Sequence, residues 1–197
     1  MKLASLDKLL EDQLKDLFSA ENQLLKALPK MAKAASSEPL REAFQMHLEE
    51  TRGQVERLEK IGKTLGIKLT GKKCAAMEGL IEEGKEVLEA EGPEYIIDAA
   101  LIIAAQRVEH YEISGYGSAR TLAEHLGHEE VAGLLQETLD EESAADEKLT
   151  TLCVEEVLPA GEAEEEMEES EGEEEEGGEE EVEEEEEPAP ARGRRKS

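Results

Sequence analysis

Tryptophan is absent, aromatic side chains make up 3% of the residues, and the 197-residue chain has only two cysteines. Each shortage excludes something. Without aromatics, the core has to be built from Leu, Ile, Val, Ala and Met. Cys74 and Cys153 form no metal-binding C-x-x-C pair. The chain opens Met1-Lys2-Leu3-Ala4-Ser5-Leu6-Asp7, with charge almost at once and no secretory leader pattern. Two isolated cysteines in such a chain read as reduced thiols, ordinary small residues of a cytoplasmic protein. No stretch approaches the ~18 uncharged apolar residues of a membrane span, so no membrane partner is expected.

Positive charge is also scarce: 22 Lys and Arg stand against 51 Asp and Glu, for a formal charge of −29. The excess is unevenly placed. Residues 161–187 hold 19 Glu with no Lys or Arg, and Arg192, Arg194, Arg195 and Lys196 follow, so residues 161–197 carry −15 and residues 1–160 carry −14. An acidic surface of this kind repels phosphate backbones, and no nucleic-acid partner is expected. The Glu run, broken by Gly172, Gly177 and Gly178, has almost nothing to bury. It predicts a disordered acidic tail over 161–197 with a short basic end.

What is present is helical periodicity almost throughout residues 1–160. Helices are expected at about Leu6–Ala34, up to about Leu65 after the Ser36-Ser37-Glu38-Pro39 break, at about Tyr95–His125 and at about Glu129–Glu156, with Pro159 closing the folded part. A shorter helix, about Ala75–Ala90, sits between the second and third. The four long helices are roughly 27–30 residues, or ~40–45 Å. The links within the first and last pairs are a few residues long, so each pair is an antiparallel hairpin, and the two hairpins are joined by a long crossover. The expected fold is all-α, a four-helix bundle of ferritin-like connectivity with a short helix in the crossover.

The apolar stripes are interrupted by acids. Helix 1 reads Leu10, Leu14, Leu17, Glu21, Leu24, Leu28, an unbroken core-facing line with Glu21 in its middle. The third long helix reads Leu101, Ala105, Val108, Glu112, Gly115, Ala119, Leu122, and the fourth reads Leu135, Leu139, Glu142, Asp146, Leu149, Cys153. Each acid lies near mid-helix, so antiparallel packing brings them to similar height. Burying clustered carboxylates costs several kcal/mol each unless pKa values rise or cations bind. Oxygen-rich ligation with some imidazole suits iron or manganese. The second helix has Phe44, Leu48, Thr51, Val55, Leu58, Gly62, Leu65 as its stripe, with His47 and Glu50 flanking it three residues apart and Gln54 one turn on. Glu141, His110, His125 and His128 fall off the seams, and Tyr111 and Tyr116 read as packing residues.

Phe44-x-x-His47-Leu48-Glu49-Glu50-Thr51, Lys73-Cys74-x-Ala76-Met77-Glu78-Gly79-Leu80-Ile81 and Val108-Glu109-His110-Tyr111-Glu112-Ile113 resemble the YciE/YciF family of bacterial stress proteins over about residues 5–155. The resemblance implies a ferritin-like fold related to rubrerythrins and a homodimer. By comparison with rubrerythrin, Glu109 and Glu112 resemble the third-helix pair of acids. Glu142 falls on the ligand acid of the fourth helix, and Ala145 falls on the ligand-histidine position, where Asp146 is the replacement. On the second helix Thr51 and Gln54 take the ligand-acid and ligand-histidine positions, departing from Glu-x-x-His, with two alternatives: His47 and Glu50 substitute, or one metal position is weak or empty. The implied ligands of a di-metal Fe or Mn centre are Glu21, His47, Glu50, Glu109, Glu112, Glu142 and Asp146. Two functions follow: a di-metal protein reacting with oxygen or peroxide, or a non-enzymatic dimeric stress protein that sequesters metal or serves as an interaction module. No four-Cys rubredoxin-like module is present, so a redox partner would be a separate molecule. Near neutral pH, backbone NMR of residues 161–187 is expected to show narrow dispersion and low order parameters; a stable helix there would contradict the charge argument.

Overall fold

The computed structural model describes residues 4–163 and 167. One compact unit, Met1–Glu162, holds everything discussed below; of the second, Ala163–Ser197, only residues 163 and 167 are described, and both are helical. The expected acidic tail from residue 164 onward, residue 167 apart, lies outside the described residues.

The described residues form helices α1 (Leu6–Ala34), α2 (Glu38–Leu65), α3 (Ala75–Leu88), α4 (Glu94–His125) and α5 (Glu129–Leu152), with no strand among them. The α1–α2 and α4–α5 hairpins pack side by side into an all-α, ferritin-like four-helix bundle. The α2–α5 and α1–α4 faces meet across the bundle, and α3 lies on α4 and α1. Local chemistry sets the ends. The Ser5 hydroxyl accepts from the Lys8 amide at 3.3 Å to cap α1. Gly66 takes φ +66° to end α2, and Gly127 takes φ +77° in the tight α4–α5 turn. The Cys74 Sγ caps α3 by accepting from the Met77 amide at 3.4 Å, and it lies 2.9 Å from the Tyr111 hydroxyl, which donates to Asp16.

The chain does not stop at Pro159. After α5 the ladder widens into a π-turn at Cys153–Val157, and helical backbone continues through Pro159 to 163. Val157 is buried, and Gly161 gives the Tyr95 ring room that a Cβ would occupy. A proline ends a helix only where its missing N–H and its ring conflict with the preceding turn, and the π-turn has already disturbed that ladder.

The core is two clusters rather than one. Leu24, Leu28, Leu40, Phe44, Leu101, Ala105, Val108 and Leu149 belong to the first; Leu14, Leu17, Leu58, Ile61, Tyr116, Ala119 and Leu135 belong to the second. On every long helix the residues between them are polar and buried: Glu21 on α1; His47, Thr51 and Gln54 on α2; Glu109 and Glu112 on α4; Thr138 and Glu142 on α5. The α1 stripe is buried as the spacing predicts. Of the α2 stripe, Phe44, Thr51, Leu58 and Gly62 are buried as expected, but the face is rotated partly away from it: His47, Gln54 and Ile61 also face inward, while Leu48, Val55 and Leu65 are half-buried. His128 is half-buried at the start of α5, where an exposed side chain was expected.

Asp98, buried on α4, ties the two hairpins together. Its carboxylate accepts from the Ser36 and Ser37 amides, at 2.9 and 2.7 Å, at the head of α2, where the Ser37 side chain makes no cap bond. Asp98→Ala removes the acceptor from two backbone donors and is expected to cost about 1–3 kcal/mol, lowering Tm by several degrees in circular-dichroism melts.

Candidate metal centre

Between the two apolar clusters, one ligand atom from each of His47, Glu109, Glu112 and Glu142 lies within 4.8 Å of the others. That span is near the ~4.2 Å separating opposite ligands on a cation with ~2.1 Å bonds. All four side chains are buried. The His47 Nε2 is 3.5 Å from Glu109 and 3.7 Å from Glu142. Its Nδ1 is 3.2 Å from a Glu50 oxygen. An ionised carboxylate only accepts, so Nδ1 carries a proton toward Glu50, and Nε2 is the ring nitrogen that faces Glu109 and Glu142.

Glu21 lies fully buried beside this group. The Tyr116 hydroxyl donates to one of its oxygens; the other has no hydrogen-bond partner. The same is true of one oxygen of Glu109, both of Glu112, both of Glu142, and the His47 Nε2. No lysine or arginine among the described residues pairs with any of these four glutamates. Orphaned acceptors at this density are not a stable end state for a protein interior. Carboxylate oxygens joined by one imidazole nitrogen are the donor set that a hard or borderline divalent cation completes, so the group can hold a metal ion.

Without a cation, protons do part of that work. Burial pushes the Glu109 carboxyl up to about 8, reinforced by the charge of Glu21. Burial raises Glu21, Glu112 and Glu142 well above the ordinary range, and neighbouring carboxylates push in the same direction. Once protonated, either member of the Glu109–Glu142 pair can donate to the other. For His47 burial lowers the pKa, but the Glu50 hydrogen bond and the Glu142 charge outweigh it, and the net shift is upward.

The seven residues read from sequence separate in space. Glu21, His47, Glu109, Glu112 and Glu142 converge. Glu50, whose side chain is 36% exposed, stands behind His47 and orients it. Asp146 turns toward α4, taking a hydrogen bond from Gln106 at 3.0 Å with the exposed His110 3.4 Å away. Thr51 donates to the His47 carbonyl of its own helix at 2.9 Å, and Gln54 donates to Glu141 at 3.1 Å. Glu141, off the seam, is clamped by Arg57 at 2.7 and 3.0 Å. The Tyr116–Glu21 bond has no signature in the sequence, since a tyrosine on a core stripe reads first as packing.

Residues 5–160 match the family model described as Domain of unknown function (DUF892). The chain belongs to the DUF892 family. Within reach of this family, the Escherichia coli K12 protein YciF is 49% identical over 158 residues, which is 80% of this chain and 95% of that protein. The crystal structure of the E. coli stress protein YciF superposes with a TM-score of 0.75 at 50% identity, covering 77% of this chain and 96% of that one. The protein YcfI from Rhodopseudomonas palustris superposes with a TM-score of 0.74 at 42% identity, covering 76% and 96%. A Xanthomonas campestris protein at 19% identity and TM-score 0.65 shares the fold.

The raised carboxyl pKa values make the metal-free DUF892 bundle pH-sensitive in a defined direction. Between the ordinary 4.5 and about 8, folded Glu109 keeps a proton that the unfolded chain has released. The stabilisation from this group is therefore fully present below the lower value and is lost as pH rises through the upper one. Metal-free Tm is expected to fall across that window. Glu142→Gln removes one buried like charge, so it should flatten the slope and leave the metal-free protein at least as stable as wild type at the alkaline end. Thermal melts of both proteins across the window check this; a destabilised variant at all pH values would assign Glu142 a structural role instead.

Proposed function

We propose that the chain is a metal-binding stress protein whose bundle core holds iron or manganese as a di-metal centre, with chemistry directed at oxygen or peroxide. The observation that carries this reading is the set of buried, partnerless donors: six carboxylate oxygens and the His47 Nε2 in a single layer. His47, Glu109, Glu112 and Glu142 would hold one ion. Glu21, within electrostatic reach of Glu112 and Glu142, would complete a place for a second. Charge balance supports two: four ionised glutamates are neutralised by two divalent cations, whereas one would leave two uncompensated charges or two protons in the core. When bound, the metal would supply the redox chemistry. The chain's own contributions are to orient His47 through Glu50, to hold a Glu21 oxygen through Tyr116, and to flank the layer with apolar clusters above and below. No helix of the described residues is long and apolar enough to cross a membrane. The reading takes the protein as cytoplasmic, and as the homodimer implied by family resemblance, which light scattering on the full chain tests.

A second reading, metal sequestration or a vestigial site without turnover, is favoured by Thr51, Gln54 and Ala145. These stand where Glu-x-x-His patterns would supply further ligands, and the first two side chains are engaged elsewhere. Elemental analysis of protein expressed in iron- or manganese-supplemented medium is expected to give about two ions per chain, falling in Glu142→Gln. Peroxide consumption by the loaded protein then separates the readings. Turnover supports the first, metal held without turnover supports the second, and a wild type that holds no metal under any loading refutes both.

A further inference from the structure

A cavity of about 280 Å³ opens between α1, α3 and α4. It sits just below the ~300–1,000 Å³ of small-molecule pockets, a size that suits one alkyl chain. Its walls are Leu24 and Met31 of α1, Leu80 and Ile81 of α3, and Val108 of α4, with no aromatic ring among the lining residues. Gly84 keeps the space open. This glycine is buried inside α3 without a positive φ, yet a Cβ built on it would meet nothing within 4 Å. Glycine in a helix interior costs stability relative to alanine, and here neither a turn nor a close approach calls for it. A larger side chain would add both helix propensity and packing, so the opening is kept against stability.

The mouth is basic on an acidic protein. Residues 1–160 carry −14. Around this cavity, however, Lys26, Lys30, Lys73 and Lys85 stand against only Glu78 and Glu82. Both acids are already engaged, Glu78 by Lys73 and Glu82 by Lys85. Lys26 and Lys30 pair with no acid among the described residues. The two are exposed and stand four residues apart on α1, a spacing at which like charges destabilise a helix. An anionic group held between them relieves that repulsion.

We propose that this cavity binds a single aliphatic chain ending in a carboxylate, a fatty-acid-type ligand, with the chain in the apolar space and the head at Lys26 and Lys30. None of the residues of the candidate metal centre lines the cavity, so the inference stands apart from the metal reading. The walls set the tail: branched aliphatic side chains and the Met31 thioether pack around a flexible chain. The rim sets the head. Two unpaired ammonium groups repel a cation and gain nothing from a neutral group, while Glu78 and Glu82 at the same mouth oppose a head of more than one negative charge.

The test is NMR titration of the full-length protein, at neutral pH and low salt, with decanoate, decanol, decyltrimethylammonium and acetate, each below its micelle concentration. Saturable binding of decanoate is expected, with amide shifts confined to residues 24–31, 78–88 and 104–108. It should be about fivefold tighter than decanol, the strength of a good exposed ion pair, and that margin should shrink in high salt. Acetate and the ammonium should bind more weakly than either. Replacing both rim lysines, Lys26→Gln with Lys30→Gln, should bring decanoate down to the level of decanol and leave decanol unchanged. Gly84→Leu fills the space and should weaken both by about tenfold or more, with Tm not lowered and the mass in light scattering unchanged. The proposal is overturned if decanol, the ammonium or acetate binds as tightly as decanoate, if the shifts fall elsewhere, or if no saturation occurs. It is overturned equally if the lysine variant keeps the full preference for decanoate, or if folded Gly84→Leu binds like wild type. A change of oligomeric state in Gly84→Leu would also overturn it, by showing that a second copy covers the opening. If Gly84→Leu does not fold, the lysine variant, altered only at exposed positions, decides.

Discussion

Mutual repulsion among Glu21, Glu109, Glu112 and Glu142 is the constraint around which the bundle is built. Removing one carboxylate from water costs several kcal/mol after relaxation, and each additional like charge in the same layer raises the cost. The protein surrounds the layer with apolar clusters that make the desolvation worse, and no lysine or arginine among the described residues pairs with it. A fold optimised for stability alone would have leucine at these positions. Protons relieve part of the stress and a divalent cation relieves more, which links the occupancy of the layer directly to the stability of the fold.

A layer under such stress has to be clamped from outside it. Asp98 joins the head of α2 to α4. Arg57 reaches from α2 to Glu141 and Thr138 on α5. Gly115 brings α4 so close to α1 that a Cβ would lie 2.8 Å from the Leu17 side chain. The Arg57 and Gly115 contacts flank the charged layer, the Asp98 contact lies at the end of the bundle beyond the first apolar cluster, and together they fix the helices against one another. On the side between α2 and α5 the packing is left incomplete, and the cavity there is continuous with the donor cluster.

Much of the fold was legible from periodicity and punctuation. Leu10 to Leu28 repeats at four and three residues, and the structure buries that line with Glu21 at its centre. On α2 the buried face overlaps the expected stripe at Phe44, Thr51, Leu58 and Gly62 but is centred to one side of it, because that face is polar where it meets the charged layer. His47, Thr51 and Gln54 are buried there, so following the apolar residues Leu48 and Val55 rotates the inferred face away from the true one. The same ambiguity governs α5, where Glu142 and Asp146 both lie on the apolar line but only Glu142 turns fully inward. The clamps were not legible: Asp98 and Arg57 are ordinary charged residues until the partner helix is in place.

The sequence by itself determined the five α-helices of the described residues, where they begin and end to within a few residues before the unexpected continuation past Pro159, and that acids sit at mid-height on three of them. Those features depend on caps, glycines and hydrophobic spacing within a few residues of each position. The tertiary structure alone decided which acids meet, that Glu50 and Asp146 stand outside the donor cluster, and that Tyr116 serves Glu21. The reason is angular. Each residue advances about 100° around a helix, so a small rotation of one helix against its neighbours exchanges a core-facing side chain for one beside it. That rotation is set by contacts with the other three helices, which no local stretch of sequence contains.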